Sequence, residues 1–236
     1  SLALRVDDVA APKRKRQGYY MIGEFQAIRP YAFRGESIVA FTIPDSVKMI
    51  GEGAFSHCTS LATVTIGSSV TTIGENAFYK CSLLETVTIP GSVTSIGGGA
   101  FYKCSLLETV TIGSSVTTIG EAAFRGCTSL KTVAIPDSVT RIDEGAFRGC
   151  TSLKTVTVGD SVTTIGDGAF YKCSLLETVT VPDSVTTIGE RAFEGCSSLK
   201  VATIGKSVTK IDGRAFSKCS SLADVTIGNS VATIGD

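Results

Sequence analysis

The chain contains no tryptophan, two methionines and a single histidine, His57. With one imidazole, any Ser-His-Asp or Cys-His relay would rest on that side chain alone. Neither sign of charge is in excess, since 22 Lys and Arg balance 22 Asp and Glu. Nothing global therefore draws the chain to nucleic acid or to an anionic membrane. No apolar run approaches the roughly 18 residues of a membrane-spanning helix. The leading SLALRVDDVAA is too short and too charged for a signal-peptide core. Glycine is plentiful at 25, yet no GxGxxG or P-loop occurs; Ile96-Gly97-Gly98-Gly99 belongs to a turn. Acidic residues recur singly instead of pairing in a cleft. These absences argue against an enzyme and against a cofactor.

What is present is repetition. YKCSLLETVT stands at 79–88, at 102–111 and at 171–180. Cys58, Cys81, Cys104, Cys127, Cys150, Cys173, Cys196 and Cys219 recur every 23 residues, and Phe55 through Phe216 keep the same step. A fixed period of this length predicts a solenoid, in which no unit can bury its apolar face alone. A longer period lies over it: Pro44, Pro90, Pro136 and Pro182 recur every 46 residues, with Gly67, Gly113, Gly159 and Gly205 between them.

The unit GSSVTTIGENAFYKCSLLETVTI, residues 67–89, shows how one turn is filled. Val70, Ile73, Ala77, Phe78, Cys81, Leu84, Val87 and Ile89 are its recurrent apolar positions. In LETVTI, Val87 and Ile89 alternate with Thr86 and Thr88, the pattern of a half-buried strand. The Pro or Gly that follows ends it. SVTTIG predicts a second short extended stretch, and Glu75 to Cys81 reads as one helical turn opened by an acid. On such a turn Glu121–Arg125 and Glu144–Arg148 would be i,i+4 pairs. Stacking would bring the cysteines about 5 Å apart with parallel side chains. This favours a file of reduced thiols over disulfides or a metal site.

The combination LxxVxI-P-x-SVxxIG-xxAFxxCxxL resembles the BspA-like, Treponema-type leucine-rich repeats over 43–236. The resemblance implies a right-handed superhelix with a parallel sheet on the concave side and short extended or helical turns on the convex side. Residues 21–43 read as a degenerate capping repeat, with Ile28, Ala32, Phe33, Ile38 and Ile43 matching Ile50, Ala54, Phe55, Leu61 and Ile66. Residues 1–20 read as a flexible lead carrying the basic run Lys13-Arg14-Lys15-Arg16, and 44–236 as the repeats proper, the last one incomplete.

The candidate contact face is the outward side of the LxxVxI strands: Thr63, Thr65, Thr86, Thr88, Thr109, Thr111, Thr132, Thr155, Thr157, Thr178 and Thr180. Beside it run Glu85, Glu108, Lys131, Lys154, Glu177 and Lys200. About nine strands at ~4.8 Å give a face of ~40 Å, long enough for a standard protein interface. Tyr79, Tyr102, Arg125, Arg148 and Tyr171 form a secondary candidate column, being of the types rich in binding hot spots. His57 shares a position with Lys and Gly and reads as a surface loop residue. The expected function is a non-catalytic interaction or adhesion module for a protein, or for a glycan or matrix component. Secretion or display at the cell surface is what the resemblance implies. Two alternatives stand beside it: a structural subunit whose open C-terminal turn is covered in a larger assembly, and ice binding through the Thr-x-Thr rows.

Overall fold

A computed structural model describes residues 2–4, 19–21 and 26–236, with side chains from 26 onward. The chain winds into a parallel β-solenoid of about 9 turns. Each turn contributes one strand to each of two sheets. The first sheet has 11 strands, running from Leu2–Leu4 and Tyr19–Met21 through Ala40–Thr42, Thr63–Thr65, Thr86–Thr88 and their successors to Asp224–Ile227. The second has 10 two-residue strands, from Ala27–Ile28 to Thr233–Ile234. Lys13–Arg16 lies outside the described residues; of the expected lead, Leu2–Leu4 pairs with Tyr19–Met21.

Register follows from the period. Thr86, Val87 and Thr88 lie beside Thr109, Val110 and Thr111, one period on. Like therefore stacks on like, and every inward position becomes a file along the axis. From Phe55 to Phe216 the phenylalanine rings stack at 5.2–5.3 Å with planes within 11° of parallel. Phe33 continues the stack at 5.1 Å from Phe55, and Ile28 pairs with Ile50 in the second sheet. The cysteines form a parallel file, each thiol donating to a Phe carbonyl of the previous turn, as Cys104 does to Phe78 at 3.2 Å. All eight are free thiols.

One expectation is corrected. Among the described residues the AFxxC segment is not helical; it is a chain of turns. Its N–H groups alternate in direction. Ala77, Tyr79 and Cys81 donate within their own turn to Gly74, Asn76 and Phe78, while Asn76, Phe78 and Lys80 donate to Gly98, Ala100 and Tyr102 of the next. The alternation needs two left-handed residues per turn, such as Asn76 at φ 53° and Lys80 at φ 58°. A helix would spend every N–H locally, whereas this backbone spends half of them joining neighbouring turns. The two expected i,i+4 ion pairs, Glu121–Arg125 and Glu144–Arg148, accordingly do not form among the described residues.

Candidate functional site

The outward side of the first sheet is set by strand alternation. In Thr86–Thr88 and its equivalents the two threonines are exposed and the valine between them is buried. Thr63, Thr65, Thr86, Thr88, Thr109, Thr111, Thr132, Thr155, Thr157, Thr178 and Thr180 all lie on this face and are exposed. The rows are broken by Ala134, Val201 and Asp224.

The neighbouring column is also exposed, and pairing divides it. Lys131 meets Glu108 at 2.6 Å and Lys200 meets Glu177 at 3.6 Å. Among the described residues Glu85 and Lys154 form no ion pair. The paired side chains are about half exposed or more, so these contacts contribute little to stability.

The Tyr and Arg column behaves differently from a free contact surface. Tyr79 and Tyr102 stack at 5.0 Å, and the His57 ring lies 5.2 Å from Tyr79. Arg125 covers the other face of the pair at 5.5 Å from Tyr102, and Arg148 sits 4.6 Å from Tyr171. Lys80 and Lys103 lie over Tyr79 and Tyr102. The ring faces that would meet a ligand are thus largely occupied by one another and by cations. His57, expected at the surface, is half-buried within this stack, and its Nδ1 has no hydrogen-bond partner. Burial pushes its pKa down, helped by the charges of Lys80 and Arg34.

The sequence did not single out two further features. Thr71, Thr94, Thr117, Thr140, Thr163, Thr186 and Thr209, each one residue before a second-sheet strand, donate their hydroxyl to a carbonyl one turn back, at 3.0–3.2 Å. That hydroxyl ladder ties turns together and distinguishes these threonines from those of the first sheet. Glu194 occupies the place that Tyr, Arg or Ser fills in other turns. Its side chain is 5% exposed, and Lys218 at 2.7 Å with Arg191 at 3.4 Å holds it ionised. The bond from Lys218 keeps its carboxyl below the usual range. It is the one acid among the residues at that position, and this was the available signal.

Seven of the eight thiols are fully buried. Burial pushes Cys58, Cys104 and Cys150 up to about 12. Among the described residues no group of His, Cys, Asp or Glu could hold a metal ion, and no helix is long and apolar enough to cross a membrane.

Two short parallel sheets joined by tight turns around a one-residue-deep core define the leucine-rich-repeat solenoid class. Within it, the model of the BspA type leucine rich repeat region matches in 6 copies over residues 26–154 and 123–236. The chain belongs to that family. Among solved structures it resembles a leucine-rich repeat protein from Eubacterium ventriosum at 26% identity and TM-score 0.66, covering 97% of this chain and 71% of that one. The pneumococcal vaccine antigen PcpA is similar at 21% identity and TM-score 0.56, covering 91% and 64%, a likeness of fold. A leucine-rich repeat protein from Bacteroides ovatus matches at 26% identity and TM-score 0.49, over 92% and 79%. No curated protein matches the chain. Leucine-rich repeat families serve as interaction or adhesion modules and are typically non-enzymatic.

Proposed function

We propose that the chain is a non-catalytic interaction module that binds a protein partner through the outward face of its first sheet. What supports this is the difference between its two threonine arrays. Thr94, Thr117, Thr140 and their equivalents, which lead into the second-sheet strands, spend their hydroxyls on the adjacent turn. The paired threonines of the first sheet stand exposed in register over successive turns, with Lys154 and Glu85 beside them. A stiff polar face with both donors and acceptors suits a protein surface. The pre-ordered backbone lowers the entropy cost of binding.

The test uses alternate turns, so that introduced charges do not stack. Thr86→Arg, Thr132→Arg and Thr178→Arg together should reduce capture of a surface-extract partner at least tenfold. The matching set from the hydroxyl ladder, Thr71→Arg, Thr117→Arg and Thr163→Arg, should leave it intact. Equal loss from both sets, or from neither, would remove this face from the function. The in-register Thr-x-Thr rows favour ice binding as a second reading. Thermal hysteresis of the purified chain, abolished by the first set alone, would establish it instead.

A further inference from the structure

The Pro and Gly that alternate after the first-sheet strands do not join their neighbours equally. Where a Pro turn is followed by a Gly turn, the strands pair at three residues or more: Ala40–Thr42 with Thr63–Thr65, Thr86–Thr88 with Thr109–Thr111, Thr132–Ala134 with Thr155–Thr157, and Thr178–Val181 with Val201–Ile204 at four. Where a Gly turn is followed by a Pro turn, pairing shrinks to one residue: Thr63↔Thr86, Thr109↔Thr132 and Thr155↔Thr178.

The weak junctions lack one donor outright. At the junction of Gly205 and Gly228, the Gly228 N–H donates back to the Ile204 carbonyl at 3.2 Å. Pro90, Pro136 and Pro182 hold the equivalent place at the three weak junctions, and proline has no N–H to give. The Gly-to-Gly junction therefore acts as a control: its strands, Val201–Ile204 and Asp224–Ile227, pair at four residues. The bond before it is missing at the same places. Ile43, Ile89 and Ile135 donate their N–H to Thr65, Thr111 and Thr157 at 2.8 Å. The corresponding N–H groups of Ile66, Ile112 and Val158 make no backbone bond among the described residues. Those three are 8% exposed, against 1–2% for Ile43, Ile89 and Ile135.

Glycine tightens the other junctions. A Cβ on Gly67 would lie 2.6 Å from the Pro44 carbonyl oxygen, so only glycine permits that approach.

The rest of the wall is continuous at the weak junctions. The second sheet keeps Thr72↔Ser95 with Ile73↔Ile96, and its equivalents, in full register. In the turns, Phe55 N–H to Ala77 and Phe78 N–H to Ala100 are both 2.7 Å. One side of the solenoid is loose at these places while the other two are pinned.

We infer that the solenoid is jointed. It consists of two-turn blocks, and the three Gly-to-Pro seams let the first sheet open and close about the second sheet and the turn ladder. Because that sheet carries the proposed contact face, the joints would let it match partners of differing curvature. This consequence rests on the function proposed above; the joints themselves do not.

Amide hydrogen exchange of the intact chain, resolved by NMR, tests the joints without any partner. Ile66, Ile112 and Val158 should exchange about tenfold or more faster than Ile43, Ile89 and Ile135. Pro90→Gly should slow Ile66 about tenfold and leave Ile112 and Val158 unchanged. Six amides with equal protection in the native chain would overturn the proposal outright. So would a Pro90→Gly chain in which Ile66 stays fast, or in which all three slow together. Loss of partner capture with this exchange pattern intact would fault the proposed function and leave the joints standing.

Discussion

Ala122 shows how much the fold asks of single residues. It sits at φ 52°, in a place where Gly53, Gly99, Gly145 and Gly168 supply the same left-handed backbone without strain. A Cβ in that region costs on the order of 1–2 kcal/mol, partly offset by the greater freedom of an unfolded glycine. Ala122→Gly should therefore raise stability by about 0.5–1 kcal/mol, seen as a higher urea midpoint with unchanged slope. An unchanged or lower midpoint would mean that the turn relaxes around alanine. The four-residue step between left-handed positions also explains His57. Its place alternates among Lys, Gly and His because the backbone, at φ 61° there, sets the requirement and the side chain is secondary.

At the scale of the element, the inward files decide stability, and the thiol file makes it depend on pH. Burial raises each thiol, so the folded state holds protons that the unfolded chain gives up near pH 8.5. The stabilisation is complete below that value and is lost as pH rises toward about 12. Each fully buried thiol contributes about 1.4 kcal/mol of loss per pH unit in that window. Seven of the eight are fully buried, so the sum is on the order of 10 kcal/mol per unit, comparable with a whole domain's stability. Thermal melts in reducing buffer should be flat from about pH 6 to 8 and fall steeply between about pH 9 and 10.5. A melting temperature that holds to pH 10.5 would contradict a buried thiol file. The strands, the period and this file could all be read from the sequence, since each needs only the recurrence of residue types. The turn could not. Glu75 to Cys81 has the local composition of a helical turn, and only the neighbouring turn's carbonyls reveal that half its N–H groups point along the axis.

Across the whole molecule, turns add along one axis and their junctions are not equivalent. Deleting 90–112 would place Gly67 against Gly113, the Gly-to-Gly junction found at Gly205 and Gly228. Deleting 113–135 would place Pro90 against Pro136, with neither the missing donor nor the close glycine approach. Both variants lose 23 residues. The first should keep cooperative urea unfolding near the parent midpoint. The second should unfold at clearly lower urea, by about 1–2 kcal/mol for the lost bonds. Equal midpoints would show that Pro and Gly are interchangeable at the junctions.

The amino-acid sequence alone determined the solenoid, its step, its inward residues and the outward threonine rows, because a strict repeat forces like to stack on like. Tertiary structure decided what those rows are free to do. Thr86 and Thr94 look alike in the chain, but Thr94 spends its hydroxyl on the Thr71 carbonyl. Tyr79 and Arg125 look like contact residues, but their faces are taken up within a stack. Hydrogen bonds and ring contacts between turns run along the axis, perpendicular to the chain, and only the folded neighbour shows which groups they consume.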